Sequence, residues 1–336
     1  MISKILSRAA LLAIGIIILS SQTVALRAQA LNGAGSSFIY PAMTKWVDEY
    51  KKTTGTSVNY QSVGSGAGIN NLIDGTIDFA GSDAPMNADE KGRAKGPVIH
   101  LPAVIGAVCV SYNVEGVQSG LALTGDDIAD IFIGKIKYWD DPRLTKNNHG
   151  LRLPHEAIFA VHRSDGSGTN AIFTSYLSKV SPEWKSKIGE GKTVTWPEAS
   201  LGGKGNAGVA AILKQHANSI GYVELAYAVE NKIPYARIMG RNGQWIYPTV
   251  GTANQAAAAS KIPEDLCTMI TDASAGYPIT GISWLIVYKT SHQPAELKKF
   301  LKWTLTKGQA YTNSLYYAAI PESMVKKEIK LIDSIQ

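Results

Sequence analysis

The residues His162-Arg163-Ser164-Asp165-Gly166-Ser167-Gly168-Thr169 stand between the apolar run Ala157 to Val161 and a helical pattern with Ile172, Phe173, Tyr176, Leu177 and Val180 on one face. A strand, a hydroxyl-rich glycine turn and a helix in this order can hold a small anion. The helix start offers unpaired N–H groups and the positive end of the dipole, Ser167 and Thr169 add hydroxyl donors, and Arg163 adds a fixed charge. An ordinary capped helix would use the same residues equally well. Two further glycine-hydroxyl turns, Gly33 to Ser37 and Gly64 to Gly68, together with Asp83 in Gly81-Ser82-Asp83-Ala84-Pro85, favour the anion site.

Other chemistries fit less well. Gly166 to Ala171 formally matches G-x-G-x-x-A, but hydroxyl residues stand where a pyrophosphate turn needs bare backbone, and no G-x-x-x-x-G-K-[ST] run occurs. No serine lies in G-x-S-x-G, and His162, near Ser167, has only Asp165 as an orienting carboxylate. The six histidines show no metal-ligand spacing. No catalytic residue, metal or cofactor is expected, so the chain reads as a binding protein and not an enzyme.

These turns must be positioned by a scaffold. Ile39, Met43, Trp46, Val47 and Tyr50 mark an amphipathic helix that is entered through the Gly33 to Ser37 turn and stopped by Gly55. Val58 to Gln61 alternates as a strand, the Gly64 to Gly68 turn opens a short helix, and Ile77 to Ala80 is a strand leading to Asp83. Repetition of strand, small polar turn and helix predicts a parallel α/β sheet with its turns gathered at the carboxyl edge. Thr124 with Asp127 predicts a capped helix ending at Gly134, Gly202 to Gly208 introduces another helix, and Asn242-Gly243 predicts a two-residue hairpin turn within Ile238 to Ile246. Pro294 to Ile335 is expected to be helical. Two nearly uncharged extended runs, Val98 to Tyr112 and Ile279 to Tyr288, look like strands that cross between lobes. One lobe would then come from both ends of the chain, 31–108 and 283–336, and the other from 109–282, with a cleft between them.

Composition agrees with a globular protein, at 45% hydrophobic and 18% charged over 336 residues, and excludes disordered and fibrous classes. Lys4 and Arg8, the apolar run Ala9 to Leu19 and Ala28-Gln29-Ala30 predict a cleavable secretory signal over 1–30 and not a membrane anchor, since a span needs roughly 18 apolar residues. Without Lys4, Arg8 and Arg27 the formal charge of +6 falls to about +3, spread without a basic block, which is no nucleic-acid footprint. Cys109 and Cys267 both lie among apolar residues, and their spacing allows either a disulfide or two free thiols.

The chain resembles the periplasmic phosphate-binding proteins of Pst-type ABC phosphate uptake systems. The resemblance spans the mature chain and rests on GAGSSF, YQSVGSGAG, DFAGSDAPM, IADIFIGKIKYWDD, RSDGSGT, FTSYLSKVSPEWK, LGGKGNAGVAA and IGYVELAYA. It implies an α/β, two-lobed periplasmic binding protein fold, each lobe a mainly parallel sheet flanked by helices and joined by an extended two-segment hinge. It also implies phosphate ligands at Ser37, Phe38, Ser65, Asp83, Arg163, Ser167, Gly168 and Thr169, with Asp165 orienting the Arg163 guanidinium. Ser37 stands where the family more often has threonine, and Gly66-Ala67 where Ser-Gly is usual. The expected partners are inorganic phosphate and, transiently, the permease subunits of the importer, with the protein a periplasmic monomer. An exported phosphohydrolase and a receptor for another tetrahedral oxyanion are the alternatives.

Overall fold

The computed structural model describes residues 30–336, so the signal expected over 1–30 lies, but for its last residue, outside the described residues. The chain runs β1 (Leu31–Gly35), α1 (Tyr40–Thr54), β2 (Val58–Ser62), α2 (Ser65–Asp74), β3 (Phe79–Ser82), α3 (Ala88–Arg93) and β4 (Val98–Asn113). Next come β5 (Ala122–Leu123), α4 (Gly125–Ile133), α5 (Pro142–Asn147), β6 (Phe159–Arg163), α6 (Gly168–Val180), α7 (Pro182–Lys187), β7 (Leu201–Gly203), α8 (Gly205–Gln215), β8 (Ser219–Glu224) and α9 (Leu225–Glu230). β9 (Arg237–Met239), β10 (Trp245–Ile246), α10 (Val250–Ala258), β11 (Thr280–Tyr288), α11 (Pro294–Leu305) and α12 (Glu322–Asp333) complete it.

Eight strands form one mixed sheet in the order β2-β1-β3-β11-β4-β8-β6-β7, and β5, β9 and β10 form a small second one. β4 is the element that joins the two halves. Its first part, Val98 to Ala107, pairs antiparallel with β11, and from Val108 to Asn113 it pairs with β8. Nearly every residue of β4 is buried, which is why the run carries almost no charge. An extra residue on β4, Ala103, opposes the Ser283–Trp284 step of β11 as a bulge, and Pro102 sits beside it, where a missing N–H costs the ladder least. On either side of the antiparallel β11 and β4 the outer strands are parallel, β2-β1-β3 on one flank and β8-β6-β7 on the other.

The helices follow their apolar spacing. α1 begins with Pro41 in its first turn, buries Ala42, Met43, Trp46 and Tyr50, and ends at Gly55 in the left-handed region. α4 carries the Thr124–Asp127 capping box and stops at Gly134, also left-handed. One large apolar cluster runs through both halves of the sheet, and a second gathers Ile69, Leu72, Ala80, Ile105, Trp284 and Ala253 under α2 and α10. Cys109 and Cys267 are free thiols.

Several local expectations change. The Gly33 to Ser37 turn is mostly strand, because β1 lies between β2 and β3 and takes its order from their ladders, not from β-branched residues. Gly64 to Gly68 is largely the first turn of α2, which starts at Ser65. The hairpin bends one residue early, with the Gly243 N–H bonded to the Gly240 carbonyl, so Arg241-Asn242 are central and Gly243 takes the positive φ. Pro294 to Ile335 is broken into two helices by two 3₁₀ turns and by Tyr316 at φ +68°.

β1 tolerates no side chain at Gly33, where a Cβ would stand 2.2 Å from the ring of the fully buried Phe79. Gly33→Ala is expected to displace that ring and destabilise the fold by about 1–3 kcal/mol, measured by urea unfolding.

Candidate anion site

The polar residues of interest follow the carboxyl ends of parallel strands. Ser36 and Ser37 leave β1, Ser65 follows β2, Asp83 follows β3, Arg163 ends β6, Asn206 follows β7 and Glu224 ends β8. Both flanks of the sheet therefore aim their strand ends at one place, as open α/β sheets do.

Arg163 is almost wholly buried. Its Nε and Nη2 donate to the two oxygens of Asp165 at 2.8 and 2.6 Å, while its Nη1 is buried with no hydrogen-bond partner among the described residues. Burial pushes the Asp165 carboxyl up, but the bonds and charge of Arg163 outweigh this and hold it below the ordinary range. Asp165 also accepts from the Gly205 N–H at 3.0 Å, which ties the start of α8 to the turn. Ser167 caps α6 by accepting from the Asn170 N–H, so its hydroxyl proton is free to donate elsewhere.

The other flank meets this turn directly. The Ser65 hydroxyl accepts from the Gly168 N–H at 3.1 Å, and the Gly66 N–H donates to the Gly166 carbonyl at 2.8 Å. Asn206 donates from Nδ2 to the Ser37 and Thr169 hydroxyls at 2.9 and 3.1 Å, spanning both flanks. Tyr227 donates to the Ser37 carbonyl. Lys192 and Glu90 form a largely buried ion pair at 2.7 Å, and the Lys192 carbonyl accepts from the Ser167 N–H, so this strut also fixes the turn. Phe38 has its ring buried, with its N–H donating to the Ser36 hydroxyl and its carbonyl accepting from Tyr317.

Asp83 is the buried carboxylate of the cluster. Burial, against opposing hydrogen bonds from Ser36 and Ser283, raises its pKa to about 6. Glu224, fully buried, is pushed well above its ordinary value by burial, against the hydrogen bond it accepts from Tyr317. With Asp83 and Asp165 both ionised against Arg163, these three groups carry a charge of about −1, so net charge by itself would not draw an anion to them.

Nothing in the sequence spacing marks Ser36, Asn206, Glu224 or Ser283 as site residues. The Gly202 to Gly208 loop reads as a helix start and forms part of the motif LGGKGNAGVAA, but neither reading marks Asn206 as a site residue. Ser283 lies in an extended apolar run, and only the sheet brings it to Asp83.

A match to the PBP superfamily domain covers residues 20–307. The phosphate-binding protein PstS of Xylella fastidiosa (strain 9a5c) is 44% identical over 307 residues, covering 88% of this chain and 83% of that protein. The phosphate-binding protein PstS of Pasteurella multocida is 41% identical over 328 residues, covering 95% and 94%. A crystal structure of a putative phosphate ABC transporter substrate-binding protein with bound phosphate from Clostridium perfringens shares the fold at TM-score 0.66, with 18% identity, over 87% of this chain and all of that one.

A Cβ at Gly168 would stand 2.5 Å from the Asp83 nitrogen and 2.6 Å from the Ser65 hydroxyl. Gly168→Ala is expected to keep the two flanks apart and to cut affinity for inorganic phosphate, used as the probe anion, about 10–100-fold in calorimetric titration. The clash lies between the flanks and not within either, so the melting temperature of anion-free protein should change little.

Proposed function

The chain belongs to the PstS family of phosphate-binding proteins, and from that premise we propose that it captures inorganic phosphate outside the cytoplasm and delivers it to the permease of an ABC importer. The observation that carries this reading is a buried carboxylate, Asp83, set against the donor groups of Arg163, Ser65, Gly168 and Thr169. Arg163, clamped by Asp165, presents Nη1 inward. The start of α6 and the hydroxyls of Ser37, Ser65, Ser167 and Thr169 supply further donors for phosphate oxygens. The Phe38 N–H, which donates to the Ser36 hydroxyl at 2.9 Å, is a further candidate donor to phosphate.

Asp83 chooses among anions. A buried carboxylate repels an oxyanion unless that ion brings a proton to donate, and phosphate near neutral pH carries one while sulfate does not. This also disfavours a receptor for a tetrahedral oxyanion that lacks the proton, such as sulfate or molybdate. Against a phosphohydrolase, His162 is engaged elsewhere, stacked on Trp196 and bonded through Nδ1 to the Arg163 carbonyl. We read the chain as a non-enzymatic, monomeric, periplasmic carrier. No described helix is long and apolar enough to cross a membrane.

We divide the chain at the partner switch of β4, giving one lobe 31–108 with the C-terminal part and the other from 109 onward. Ala253, Ala257, Leu266 and Ile270 pack with Ile69, Leu72 and Trp284, so we place the return to the first lobe before α10, not at residue 283.

Calorimetric titration of phosphate-stripped protein with phosphate and sulfate tests the reading, and failure to bind phosphate would overturn it. Asp83→Asn is expected to reduce the discrimination against sulfate by at least tenfold. In the same assay Arg163→Ala should weaken phosphate binding more than Ser167→Ala, since it removes a charge and several donors where the serine change removes one neutral hydroxyl and a helix cap. Equal losses would assign Arg163 a structural role.

A further inference from the structure

Asp83 receives two hydroxyl bonds that none of the expected ligand residues supplies. The Ser36 hydroxyl lies 2.6 and 2.7 Å from Oδ1 and Oδ2, and the Ser283 hydroxyl lies 2.7 Å from Oδ1. Both serines are fully or almost fully buried. They come from different elements, Ser36 from the β1–α1 junction and Ser283 from the middle of β11, beside the bulge with β4. Oδ2 is left facing the start of α6, 2.6 Å from the Cβ position of Gly168.

The valence of these oxygens has a consequence. A protonated carboxyl is a donor on one oxygen, whereas a carboxylate accepts on both. With two hydroxyls donating into it, Asp83 is favoured as an acceptor, and the proton that completes its set must come from the ligand.

We propose that Ser36 and Ser283 are positioning residues that set anion specificity by holding Asp83 as an acceptor-only carboxylate aimed at the ligand's proton. This rests on the reading of the site as a phosphate site with Asp83 as discriminator. The other ionisable groups that face Asp83 are Arg163 and Asp165 across the cleft, Tyr60 from β2, Glu224 at the end of β8 and Tyr317 after the 3₁₀ turns. Arg163 stabilises the carboxylate, Asp165 opposes it, and neither is bonded to the serines. Burial raises Asp83 to about 6 while both serine bonds pull it down, so losing either should move protonation toward neutral pH.

Sulfate is the probe that reports this state, because it does not titrate across the relevant range. A neutral Asp83 can donate to sulfate, and an ionised one rejects it. In phosphate-stripped wild-type protein, sulfate affinity should therefore rise as pH falls through about 6. In Ser283→Ala the rise should begin ~1 pH unit higher, and the preference for phosphate over sulfate at neutral pH should drop on the order of tenfold. Ser283→Thr, which keeps the hydroxyl, should restore the wild-type midpoint. Ser36→Ala changes a different element and should shift the midpoint in the same direction, so the comparison holds even where Ser283→Ala does not fold. Serine variants with wild-type midpoint and preference would overturn the inference. Asp83→Asn, titrated alongside, should bind sulfate without pH dependence. An Asp83→Asn protein that still rejects sulfate would overturn the discriminator reading itself, whereas a response in Asp83→Asn without one in the serine variants would overturn the serine inference alone.

Discussion

The pairing of Asp165 with Arg163 is the interaction on which the rest of the site depends. A buried guanidinium is tolerated only when its charge is matched and its donors are used, and Asp165 takes two of them in a fork. The same carboxylate accepts from Gly205 and occupies the space where a Cβ at Gly64 would be, at 2.3 Å. One acid thus fixes the direction of Arg163, anchors the start of α8 and sets how closely the β2 flank approaches. Lysine could not replace Arg163 there, since a point charge cannot fill both oxygens of the fork and still present a donor inward.

The sheet explains why so many short polar segments meet. β4 changes partner halfway along its length, and this places two parallel groups of strands with their carboxyl ends directed at one another. Each of those ends leads into a helix start or a tight turn, so amides and hydroxyls arrive from both flanks without long loops. Contacts between the flanks are short and mostly main chain or small side chain, such as Gly66 to Gly166 and Ser65 to Gly168. Small residues are needed there because the backbones themselves come close.

Charge in the cluster is balanced, so on the proposed reading attraction is not the source of selectivity. Arg163 is offset by Asp165, burial pushes Glu224 well above its ordinary value, and Asp83 places a second carboxyl in the cluster. What remains is a count of donors and acceptors. On the proposed reading, a ligand fits when it takes the donors of Arg163, Ser65 and α6 and also returns a proton to Asp83, a requirement that charge alone could not impose.

The sequence by itself determined the α/β class, the crossing strands, the capped helices and the glycine-hydroxyl turns, because these depend on local periodicity and on residues such as Gly55, Thr124 and Gly134 whose conformational roles are local. It also carried the resemblance that singled out Arg163, Asp83 and their neighbours. Tertiary structure alone decided that Leu31 to Gly35 is a central strand, since its small residues become a strand only by pairing with β2 and β3. It also decided that Ser36 and Ser283, 247 positions apart in the chain, serve one carboxylate. Bonds of that kind leave no spacing pattern, because a buried acid recruits hydroxyls from whichever strands the sheet order sets beside it.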